Sequence, residues 1–85
     1  MRTGAVVYEA AIVLSKMLEK HSHWVHDRVV FELGAGPGLV SIVAALLNAK
    51  TVFATDGDPG VVKLAQRNIE ANRVLSNCQA LPYLW

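Results

Sequence analysis

An α/β fold built on a parallel sheet is what this sequence predicts, and three observations carry the prediction. Val29-Val30-Phe31 is an apolar, β-branched and aromatic run of the kind found in strands buried on both faces. Glycines follow at alternate positions, Gly34, Gly36 and Gly38, and then an apolar, alanine-rich segment, Leu39 to Leu47, long enough for a helix. A second apolar run, Thr51-Val52-Phe53-Ala54-Thr55, comes next. Strand, glycine turn, helix and strand in that order make a βαβ unit, and ligands in such sheets sit at the carboxyl ends of the strands.

The remaining elements fit around this unit. Tyr8 to Lys20 reads as an amphipathic helix, with Val7, Ala10, Leu14, Met17 and Leu18 at helical spacing and Thr3-Gly4 as a flexible lead-in. His21 to Asp27 reads as a polar connector. Its three histidines lack a cysteine or an acidic cluster and are read as solvated residues near a helix C-terminus, not as metal ligands. Leu39–Leu47 is apolar almost all round, so it should pack between the sheet and another layer, with Asn48 in the left-handed conformation after it. Gly60 to Asn72 reads as a helix with Val62, Ala65 and Ile69 on one face; Asp58 before Pro59 is its N-cap. Leu81, Tyr83 and Leu84 suggest a third strand, confined by Pro82 to a sheet edge or to the strand's start.

Composition narrows the class. The chain has 85 residues, a formal charge of +1 and 53% apolar residues, enough for a small core only. Scattered Lys and Arg give no electrostatic footprint for nucleic acid. No uncharged run approaches the ~20 residues of a membrane span, and Glu9 breaks the N-terminal apolar segment, so neither a membrane nor a signal peptide is expected. A cytoplasmic protein is the expectation, with the nucleus as the other compartment. The lone Cys78 is read as a buried, inert thiol.

The glycine turn carries the chemistry. Without a Cβ the backbone bends sharply and lets a ligand approach the main chain. Glu32-Leu33-Gly34-Ala35-Gly36-Pro37-Gly38 is not a dinucleotide G-x-G-x-x-G, whose last position here is Leu39, and it lacks the lysine of a P-loop. Glu32 puts negative charge beside the turn, which repels a pyrophosphate but suits a ligand with an amino group and a sulfonium. The pattern E-x-G-x-G-x-G therefore favours S-adenosylmethionine over NAD or ATP. Asp56 ends the second strand 22 positions beyond Gly34, where an acidic residue can accept hydrogen bonds from both ribose hydroxyls.

The segment from Glu32 to Gly38 resembles motif I of the class I, seven-strand, S-adenosylmethionine-dependent methyltransferases. Tyr8-Glu9-Ala10-Ala11 resembles the Trp-[Asp/Glu]-Ala-Ala segment of the protein-lysine methyltransferase-like branch, with tyrosine in place of tryptophan. Asn68 and Asn72 match that branch's N-x-x-x-N helix end, read as packing and capping, and Trp85 matches a tryptophan at the adenine end of the cofactor. The resemblance implies a Rossmann-like methyltransferase fold, incomplete: an N-terminal helix, then strand, helix, strand, helix, strand. It implies cofactor contacts from Tyr8, Glu32, Gly34, Ala35, Gly36, Gly38, Asp56 and Trp85. It implies a protein substrate and attack of a neutral amine on the sulfonium methyl, with positioning and desolvation as the main catalytic devices. No general base is assigned.

The match covers Tyr8 to Trp85 but only the first half of the family domain, so residues 1–85 read as one cofactor-binding unit. The strand that is central in the family would here be an edge. A partner-dependent or unstable fragment, a splice product or a partial gene is expected, with a partner chain completing the sheet. Two other classes stand beside the enzyme reading: a non-catalytic interaction fragment and an NAD-dependent oxidoreductase.

Overall fold

Three runs of five or six residues, the first two each followed by a turn and a helical period, fold as parallel strands joined by helices. The computed structural model describes residues 3–83, with side chains over 10–83. Helix α1 (Thr3–Lys20) leads through a short 3-10 turn (Ser22–Trp24) to strand β1 (Val29–Leu33). Helix α2 (Leu39–Leu46), strand β2 (Thr51–Asp56), helix α3 (Pro59–Ala71) and strand β3 (Cys78–Pro82) follow. The sheet order is β1-β2-β3, with Phe31 opposite Phe53 and Ala54 opposite Ala80.

Period-2 alternation separates the two faces of the sheet. Val52, Ala54, Cys78 and Ala80 are buried on the face that α2 and α3 cover. Helix α1 packs against α2, and Val40, Ser41, Ile42, Ala44 and Ala45 of α2 are all buried. The core joins Ala44 and Ala45 of α2, Ala65 and Ile69 of α3, and Leu18 of α1. The opposite face is bare. Val29, Phe31 and Leu33 are 63, 54 and 56% exposed, and the Phe31 ring lies beside those of Phe53 and Tyr83, with centroids 5.5 and 6.1 Å away. The expectation that β1 is buried on both faces is thus wrong here. All the described helices lie to one side, and β1 is an edge strand, as expected of the half-fold.

Several boundaries also shift. Thr3 and Gly4 lie inside α1, not before it. Helix α3 starts at Pro59, one residue before the predicted start. The third strand begins at Cys78 and ends at Pro82, so Tyr83 follows it and Leu84 lies outside the described residues. Pro82 does sit in an edge strand, where its missing N–H breaks no ladder. Asp58 caps α3: its carboxylate accepts from Gly60 N–H at 2.8 Å, with Pro59 at the first turn. Asn48 takes φ 66° after α2. In the connector His21 stacks on Trp24 with ring centroids 4.4 Å apart, and His26 lies 3.2 Å from Asp27. Among the described residues no three His, Cys, Asp or Glu side chains group as a metal site.

Candidate cofactor-binding site

Parallel pairing brings the carboxyl ends of β1 and β2 side by side, with Leu33 opposite Thr55. The chain leaves β1 through the glycine turn and leaves β2 through Asp56, so two segments 20 residues apart meet. Ala35 N–H donates to the carbonyl of Thr55 at 2.8 Å, and Gly36 N–H donates to Asp56 Oδ2 at 3.2 Å. The other carboxylate oxygen, Oδ1, accepts from Asp58 N–H at 3.0 Å. An ionised carboxylate offers about four acceptor positions, so about two remain for a ligand's hydroxyls.

The glycines differ in what they do. Gly34, Gly36 and Gly38 all have positive φ, 67, 58 and 93°, where a side chain is strained. A Cβ on Gly38 would lie 3.5 Å from the Cβ of Ala65 in α3, so Gly38 serves the packing of turn against helix. A Cβ on Gly36 would meet nothing within 4 Å. The backbone at Gly36 is therefore open to approach from outside the protein.

Glu32, on the helix-covered side of β1, accepts a hydrogen bond from the hydroxyl of Ser41 at 2.5 Å and another from Ser41 N–H in the first turn of α2. Burial raises its carboxyl above the ordinary value of 4.5, and the two Ser41 bonds oppose that rise. On the same face, burial pushes the Cys78 thiol up to about 11, with the charge of Glu32 adding to the effect.

Glu32, Gly34, Ala35, Gly36, Gly38 and Asp56 are thus gathered at one end of the sheet. The side chain of Tyr8 and the whole of Trp85 lie outside the described residues.

Two supporting residues, Ser41 and Thr55, were not singled out from the sequence, and a third, Asn68, reaches further than its packing and capping reading implied. Ser41 is the one polar residue in an apolar helix, nine positions after Glu32, and that contrast was the available signal. The Thr55 hydroxyl donates to the Glu32 carbonyl at 2.6 Å and ties β2 to the turn. Asn68 donates from α3 to the Pro37 carbonyl at 2.8 Å and pins the far side of the turn; Asn72 in turn donates to the Asn68 carbonyl. The capping reading of Asn72 holds, and Asn68 has a reach that spacing alone does not reveal.

The profile of the ribosomal protein L11 methyltransferase (PrmA) family matches residues 11–83. The chain belongs to this methyltransferase family. Similar relatives of the PrmA-family chain include the protein N-terminal and lysine N-methyltransferase efm7 of Neurospora crassa, 38% identical over 93% of this chain and 31% of its own. The mouse (Mus musculus) protein-lysine methyltransferase METTL21E is 46% identical over 93% of this chain and 32% of its own. Among solved structures, an RNA methyltransferase from Salinibacter ruber in complex with S-adenosyl-L-homocysteine superposes with a TM-score of 0.71. It is 28% identical over 84% of this chain and 46% of its own. The chain spans between about a quarter and a third of the length of the curated relatives it matches. Membership in this family confirms the class I resemblance and the partial Rossmann-like methyltransferase fold, and it sets aside the nicotinamide-dependent oxidoreductase.

Proposed function

We propose that this chain is the cofactor-binding half of an S-adenosylmethionine-dependent methyltransferase that acts on amino groups of proteins. The observation that carries the reading is the bond from Gly36 N–H to Asp56, which sets an open glycine backbone beside a carboxylate with acceptor capacity to spare. The residues suit the proposed cofactor. Asp56 would take the ribose hydroxyls, Gly34 to Gly38 would lie along the nucleoside with Ala35 among them, and Glu32 would face the positive end. Tyr8 and Trp85 belong to the same proposal as its aromatic contacts. Bound there, the cofactor supplies an electrophilic methyl group on sulfur. This chain's own residues bind and orient, and no general base is assigned among the described ones.

The lysine branch is favoured by the N-terminal and lysine N-methyltransferase efm7 and the lysine methyltransferase METTL21E. A protein substrate follows from the same relatives. The bare face of the sheet and the unpaired edge of β1 support the further reading that the missing half is supplied by other polypeptide, either more of the same chain or a partner. The described helices include none long and apolar enough to cross a membrane, and a single reduced thiol suits the cytoplasm or nucleus.

Isothermal titration of the chain with S-adenosylhomocysteine and with NAD tests the cofactor. Saturable heat with the first and none with the second is expected, and the reverse would overturn the proposal. Label transfer from methyl-labelled cofactor to lysate proteins then separates an active enzyme from a fragment that only binds.

A further inference from the structure

We propose that Ser41 is a positioning residue that keeps Glu32 ionised inside the sheet–helix interface, so that its charge is available to a cationic ligand at neutral pH. The inference deepens the cofactor reading and rests on it for the identity of the ligand.

The geometry is specific. Ser41 is fully buried, and its hydroxyl donates to Glu32 Oε1 at 2.5 Å. That distance is at the short end of the O–H···O range, where bonds to ionised acceptors fall. The Ser41 backbone N–H serves the same carboxylate. It is one of the first-turn N–H groups of α2, which have no partner within the helix. Two donors from one residue thus hold one carboxylate, leaving about two of its acceptor positions for something else.

Among the described residues of the strands and helix packed on β1 there is no other counterweight. Helix α2 carries no titratable side chain, β2 carries only Asp56 and β3 only Cys78. Asp56 is acidic, and the field between Glu32 and Cys78 is repulsive. Among the described residues no cation is paired with Glu32. Burial therefore favours the neutral acid, and a neutral acid would not attract an ammonium or a sulfonium. Ser41 is the group that opposes this.

The experiment uses the full chain, Ser41→Ala and Ser41→Cys, the last as a near-isosteric variant with a weaker donor. The Glu32 carboxyl carbon is followed by NMR from pH 4 to pH 9 without ligand, and affinity for S-adenosylhomocysteine is measured by titration calorimetry over the same range. Loss of the hydroxyl should move the Glu32 midpoint to higher pH, with Ser41→Cys between. Affinity should fall by up to about tenfold at pH values below the shifted midpoint, as expected for one bond to a charged group, and return to the parent value above it. An unmoved midpoint overturns the proposal, and so does an affinity loss that is equal at every pH. If the parent chain shows no affinity for S-adenosylhomocysteine, the cofactor reading fails, while the NMR midpoints still decide what Ser41 does to Glu32.

Discussion

Gly36 and Gly38 sit two residues apart with the same sign of φ, yet alanine at each should have different consequences. At Gly36 (φ 58°) the new methyl meets no protein atom within 4 Å. At Gly38 (φ 93°) it touches Ala65 at 3.5 Å and Ile42 at 3.7 Å, both ordinary contacts. Steric overlap therefore contributes little in either case. The left-handed backbone costs an L-residue about 1–2 kcal/mol, and the stiffer unfolded chain returns about 0.5–1 kcal/mol. Both variants should lose about 1 kcal/mol, which for a chain of this size lowers the midpoint of thermal unfolding by about 4–8 °C. Ligand affinity should separate them. The Gly36 methyl stands in the space where a nucleoside would lie against the main chain, whereas the Gly38 methyl points at α3. We expect Gly36→Ala to weaken S-adenosylhomocysteine at least about tenfold, a loss of ~1.4 kcal/mol. Gly38→Ala should stay within about threefold once the folded fraction is allowed for. Circular-dichroism melts paired with calorimetric titration measure both. Equal affinities for the two variants, or the larger loss at Gly38, would refute the assignment of Gly36 to the ligand side.

Asp56→Asn replaces two carboxylate bonds, to Gly36 and Asp58, by one amide oxygen. It should cost about 1–2 kcal/mol in a denaturant melt and most of the ligand affinity. Asp58→Ala removes the α3 cap and should cost about 1 kcal/mol while leaving affinity unchanged, read by the same pair of assays. For Glu32 the pH dependence has a definite sign. Its carboxyl is raised in the folded chain, so the folded state holds the proton more tightly than the unfolded state does. That stabilisation is full below the ordinary value of 4.5 and is lost as pH rises through the folded value. Glu32→Gln should therefore raise the unfolding midpoint at pH 7 but not at pH 4, and weaken the ligand at pH 7. Cys78, buried with its thiol at about 11, should resist an aromatic disulfide reagent at pH 8 until denaturant is added.

The fold was legible because strands and helices here keep their periods. Val29 to Phe31, Thr51 to Thr55 and the stripe of Val62, Ala65 and Ile69 fall where the pattern puts them. The Asp58-Pro59 cap and the left-handed Asn48 were legible for local reasons, since both depend on residues next to them in sequence. The burial of β1 was not. An apolar run shows that a strand has an apolar face on each side, and it does not show whether anything covers the second. At the site, Glu32, the glycines and Asp56 carry their chemistry in their residue types. Ser41 and Asn68 act through partners 9 and 31 positions away, Glu32 and Pro37, and only the packing of α2 and α3 reveals those pairings.

The two borders of the sheet are finished differently. On the β3 side the amide of Ala80 is stoppered by the Gln66 side chain at 3.0 Å, and Pro82 has no amide to offer. Along β1 nothing comparable is present among the described residues, and the side chains there are Val29, Phe31 and Leu33. The ladder is thus extensible in one direction only. Whatever polypeptide docks beside it is told which border to join, and a chain left by itself carries one sticky margin through which it can aggregate.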